Sequence, residues 1–286
     1  MKNLQIKSYR QIGAVLGFLG AFGLGLTLAQ PASAQEPTLD VRMQLQRIKC
    51  IDEGDGIGSA EPYLWAVFFK IDGEKCVVNS AFQLDGRAQI KTTFGNHENL
   101  PNHDVDDGEV INIPASLGAD YRTRLVPLPL SQPIAGMTNT AAAMGCIVVL
   151  MEEDNTPNSA VASGHLALNH AVEEELNRLI PTLGIAKRSP TEQDIKDMKS
   201  RIGAAVKKAI KDKVTVGSWL LGAGNMDDQI GSEVFLFSTS DLKNVGTAGI
   251  PIEKQWNNEG KWKLEGNISV TPARRIVPRR TFETIR

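Results

Sequence analysis

The sequence predicts a mainly β protein: an antiparallel β-sandwich with an α-helical hairpin inserted between two of its strands. Three observations carry that class. Short apolar runs, bounded by Gly, Pro, Asn and Asp, recur before residue 152 and after residue 229. Between them the apolar spacing switches to a helical period over two successive stretches. The sequence shows no internal repeat that would suggest a solenoid or propeller.

The elements follow in order. Residues 1–34 are read as a secretory signal peptide. Lys2, Lys7 and Arg10 form its basic start, an apolar stretch covers 12–29, and Ala32, Ser33 and Ala34 supply a small-residue cleavage site. Export to a periplasmic or extracellular compartment is the expectation, with residues 35–272 as the sandwich and 273–286 as a basic tail. Val41, Met43 and Leu45 alternate with polar residues, and Ile48 and Cys50 resume the apolar side one residue late. This predicts a strand carrying a bulge. Residues 63–71, YLWAVFFKI, form a dense aromatic and β-branched strand, and Asp72-Gly73 is a hairpin signal before Cys76. Residues 110–113 and 122–126 are shorter strands. The continuous apolar run 145–151 suits a strand covered on both faces.

Val161, Leu168, Val172, Leu176 and Leu179 then recur at helical spacing up to Pro181. A second helix is expected from Ser189, with Glu192 completing a capping box and Ile195, Met198, Ile202, Val206 and Ile210 as its apolar stripe. The hairpin therefore spans about residues 159–212. Strands resume at 233–237 and 262–270.

Charge and cysteine count narrow the function classes. The chain has 31 basic and 33 acidic residues, a net charge of −2. Removing 1–34 takes three basic and no acidic residues, so −2 becomes −5. That argues against nucleic acid as a partner. Cys50, Cys76 and Cys146 allow at most one disulfide; the alternative is three buried apolar thiols.

The informative residues are acidic. CIDEGDGIGSAEPYLW, residues 50–65, places Asp52, Asp55 and Glu61 between two apolar strands. Glu152, Glu153 and Asp154 end the run 145–151, and the chain returns from the helices at Asp227 and Asp228. If the two strand pairs run the same way, these carboxylates gather at one end. Like charges so gathered repel unless a cation neutralises them, and hard oxygen ligands on loops suit Ca²⁺.

These motifs resemble the C2 domain, the calcium- and lipid-binding β-sandwich. Its first calcium loop, D-x5-D-P-Y, is matched by Asp55 followed by Glu61-Pro62-Tyr63. Its third loop is matched by Glu152-Glu153-Asp154 after the buried strand and by Asp228-Gln229-Ile230-Gly231. The resemblance implies Ca²⁺ ligands at Asp55, Glu61, Glu152, Asp154 and Asp228, and Ca²⁺-dependent binding to an anionic lipid surface or another secreted macromolecule. The match covers two loops. It departs from the family in two Glu ligands and in the helical hairpin that splits the third loop.

Other chemistry is weaker. Asp104-Val105-Asp106-Asp107-Gly108 is one residue short of an EF-hand pattern and lacks its final Glu. His165 and His170 fall on different helix faces, and no H-E-x-x-H, nucleophile elbow or P-loop occurs. A secreted hydrolase using paired rim carboxylates, and a metal-free interaction module, remain as alternatives. Residues 216–222, with Trp219 and Leu220, are either a packing segment or an apolar tip for a bilayer. Trp256 and Trp262 are either core and edge residues or a carbohydrate platform.

Overall fold

The computed structural model describes residues 35–54, 59–154, 156–213, 227 and 229–272. The expected signal peptide, Asp55, the 216–222 segment, Asp228 and the basic tail lie outside these residues.

The chain begins with β1 (Leu39–Asp52), β2 (Pro62–Ile71), β3 (Cys76–Val78), β4 (Leu84–Gly86) and β5 (Gln89–Thr92). It continues through β6 (Val110–Asn112), β7 (Tyr121–Leu125), β8 (Leu128–Ile134), β9 (Met137–Thr140) and β10 (Ala143–Glu152). Two 22-residue helices follow, α1 (Asn158–Leu179) and α2 (Glu192–Lys213). The last elements are β11 (Gln229–Ser238), a single turn α3 (Thr239–Leu242), β12 (Ile250–Trp256) and β13 (Lys261–Pro272). The fold is mainly β.

Three sheets result. One runs β12-β13-β1-β6, with β7 also paired to β1; the second runs β11-β10-β2-β5; the third runs β4-β3-β8-β9. The bulge expected in β1 is present as a register shift between Leu45 and Arg47 against β13. It returns Ile48 and Cys50 to the buried side occupied by Val41, Met43 and Leu45. β2 and β10 are central strands, and all ten residues of β2 are buried. Burying each large apolar side chain there contributes roughly 1.5–3 kcal/mol.

The first two sheets share one core. Phe68 of β2 stacks on Tyr121 of β7 with ring centroids 4.4 Å apart. Gly118 sits under Phe68 at φ +110°, where a Cβ would come within 2.5 Å of the ring. Trp256 of β12 lies over Gly231 of β11 and donates its indole N–H to the Ser232 carbonyl at 3.2 Å. Trp262 is fully buried. With both rings in the core, neither offers a face to a sugar.

On the opposite side of β2, Trp65 meets His165 of α1 at 5.6 Å between centroids. Gly164 of α1 faces both Trp65 and Ile210 of α2. Arg201 of α2 donates to buried Glu175 of α1 at 2.6 Å.

Two local expectations are corrected. Asp72-Gly73 is a corner, not a hairpin, because β3 leaves β2 to pair with β4 and β8. The cause is Asp72, a buried carboxylate that accepts from Lys70 Nζ (3.0 Å), the Val126 amide (3.1 Å) and Gln89 Nε2 (3.1 Å). α2 is capped by Thr191 and Asp194 in place of Ser189 and Glu192. The Asp194 amide donates to Thr191 Oγ1 at 3.1 Å, and the Thr191 amide donates to Asp194 Oδ2 at 2.7 Å. All three cysteines are free and buried, so no disulfide forms.

Candidate functional site: acidic loops around Asp227

Strand register builds the site. Pro62 opens β2 opposite Glu152, the last residue of β10. The next residues therefore meet across the rim, and the Glu153 amide donates to the Glu61 carbonyl at 2.9 Å. The 104–107 loop joins them through the Ala60–Val105 bridge and a 2.7 Å bond from the Glu53 amide to Asp107 Oδ1. Acid-bearing loops from three parts of the chain thus share one end of the fold.

Asp227 ties this end together. One carboxylate oxygen accepts the Asp154 amide (2.9 Å) and the Thr156 amide (3.1 Å). The other accepts the Tyr63 hydroxyl (2.8 Å) and His97 Nε2 (2.6 Å). The Asp227 amide in turn donates to Thr156 Oγ1 at 2.9 Å. Its side chain is 1% exposed, and four donors satisfy its lone pairs.

His97 bridges two carboxylates. Its Nδ1 lies 3.0 Å from Glu153 Oε1, its Nε2 meets Asp227, and its ring stands edge-on to Tyr63 at 5.0 Å. Burial pulls the imidazole pKa down, but the hydrogen bond and charge of Asp227, with the charge of Glu153, outweigh it and raise it. Both ring nitrogens therefore face a carboxylate, which favours the protonated form of His97. Burial pushes Asp227 up; the bonds from His97, the Asp154 amide and Tyr63 reverse this and hold it below the usual carboxylate range. Glu153 is raised, by burial first and then by the charges of Asp227, Glu61 and Glu98, against the opposing pull of His97. Burial and the Asp227 charge push the Tyr63 phenol far up, so it remains a donor.

Of the expected ligands, Glu61, Glu152 and Asp154 are brought to this one end. Glu61 is exposed, Glu152 is buried and Asp154 is half-buried. Among the described residues no three His, Cys, Asp or Glu side chains converge in a group able to hold a metal. Asp227, His97, Glu153 and the Tyr63 hydroxyl form the connected cluster instead. No sequence spacing links these residues, since His97 and Asp227 are 130 residues apart.

Both His97 nitrogens face carboxylates, so the imidazole is committed within the cluster. The thiols are no better placed. Burial raises Cys50 to about 11, and Cys146 is raised well above its ordinary value by complete burial. No family model, curated protein or solved structure matches the chain.

Proposed function

We propose that the protein is an exported binding module, a C2-like β-sandwich with a helical hairpin. Its acidic rim takes Ca²⁺ through Asp55, Glu61, Glu152, Asp154 and Asp228 and, through the cation, an anionic lipid surface. Support for the fold comes from two antiparallel sheets around one core and two packed helices between β10 and β11. The observation that carries the function is carboxylate crowding. Burial, and then the charges of Asp227, Glu61 and Glu98, hold the Glu153 carboxyl above its ordinary range against the opposing charge of His97. A divalent cation relieves such crowding and leaves coordination positions for a phosphate oxygen.

One observation favours the metal-free alternative: His97 already stands between Glu153 and Asp227, whose charges favour its protonated form. Sedimentation with phosphatidylserine vesicles separates the two readings. The calcium reading expects binding in millimolar Ca²⁺, reversed by chelator. Binding that ignores Ca²⁺, or no binding at all, contradicts it.

A further inference from the structure

A groove of about 770 Å³ separates α2 from the β10–β11 part of the second sheet. The β10 half of its floor is apolar, made by Ile147, Val149 and Met151 at alternate positions, while β11 adds Gln229, Ser232, Glu233 and Val234. Ile202, Val206 and Ile210 of α2 form its roof. Lys199, Ile202, Gly203, Val206, Lys207, Ile210 and Lys211 recur at intervals of three and four, so one helical stripe lines the groove. From Lys199 to Lys211 that stripe is roughly 18 Å long. Gly203 contributes no side chain to it, and a Cβ there would meet nothing within 4 Å.

The charges along the groove are unequal in availability. Among the described residues its two carboxylates are already committed. Glu233 is held by Lys199 at 2.5 Å and by Lys254, and Asp227 by His97, Tyr63 and two amides. Burial pushes Glu233 up, but its two ammonium partners hold it below the usual range. Lys207 and Lys211, one helical turn apart, line the same groove, are exposed, and pair with no carboxylate among the described residues. The charge that the described residues leave for an occupant is therefore positive, above an apolar trough.

We propose that this groove binds a fatty acid, with its acyl chain between β10 and α2 and its carboxylate at Lys207 and Lys211. The chemistry is complementary on both counts: apolar area along the trough, and two ammonium groups, unpaired among the described residues, for one anionic head. This inference goes beyond the acidic rim and does not require Ca²⁺.

The test is calorimetric titration of the exported chain with laurate below its micellar concentration. Saturable one-to-one binding is expected, with dodecanol several-fold weaker and dodecyltrimethylammonium not binding. Gly203→Leu fills the trough where space is open and should raise Kd by roughly tenfold or more. Gly203→Ala should keep most of the affinity. The double change Lys207→Gln and Lys211→Gln should raise Kd about fivefold, in line with the modest worth of exposed ion pairs. A matched thermal melt shows that each variant is folded. Three results overturn the proposal: no saturable heat with laurate, a folded Gly203→Leu that binds as tightly as wild type, or a concentration-dependent dimer that Gly203→Leu dissolves.

Discussion

Asp227→Ala tests whether the rim is held by one buried carboxylate. The substitution leaves the Tyr63 hydroxyl, His97 and the amides of Asp154 and Thr156 without their shared acceptor. His97 keeps Glu153 at 3.0 Å and loses the closer of its two partners. Summing a charged hydrogen bond for each of four donors overstates the effect, because the amides and the hydroxyl gain access to water once the cluster opens. Breaking a buried ion pair from one side gives a better scale, about 3–5 kcal/mol. At this chain length that corresponds to a fall in Tm of about 6–20 °C. Urea unfolding followed by far-UV circular dichroism measures the free energy. A loss under about 1 kcal/mol would refute the reasoning, since such a value belongs to an exposed pair. A double-mutant cycle with His97→Gln isolates the pairwise part and should give a coupling above about 1 kcal/mol.

Other consequences are equally specific. His97 has a raised pKa in the fold, so its contribution is complete below about pH 6.5 and is lost as pH rises through the folded value. Glu153, also raised, acts with the same sign from a lower pH, whereas the contribution of Asp227, lowered, is lost as acid protonates it below about pH 4. Urea midpoints against pH should therefore decline above about pH 6.5 in wild type and flatten there in His97→Gln; an unchanged alkaline limb would contradict the assignment. Thr191→Ala should cost about 0.5–2 kcal/mol by chemical denaturation and Ser189→Ala close to nothing, because Thr191 caps α2. Gly118→Ala combines a left-handed φ with a methyl forced towards Phe68, and should lose more than about 2 kcal/mol.

The parts of the fold that were legible in the sequence are those fixed by local period. The slip between Leu45 and Ile48 announced the β1 bulge because a one-residue insertion shifts every later side chain to the other face. The stripes of α1 and α2 announced two helices by the same logic. What was not legible depends on partners distant in the chain. Asp72-Gly73 has the composition of a hairpin turn, yet the Val126 amide captures the Asp72 carboxylate across 54 residues and turns the chain into another sheet. The α2 cap lies two residues beyond the Ser189 signal: Ser189 and Thr191 both precede an acid by three, and the geometry of Asp194 decides between them. At the rim, the gathering of Glu61, Glu152 and Asp154 followed from strand direction. The Asp227–His97–Glu153 cluster did not, because Asp227 stands beside the motif residue Asp228 and His97 sits in an otherwise polar loop.

The central claim is that the acidic rim takes a cation, and calorimetric titration of residues 35–286 with Ca²⁺ tests it most directly. Saturable binding in the micromolar to millimolar range, lost in both Asp154→Ala and Asp228→Ala, is the predicted result. No heat at millimolar Ca²⁺, with both variants melting like wild type in its presence, would contradict it and leave His97 as the rim's own counter-charge.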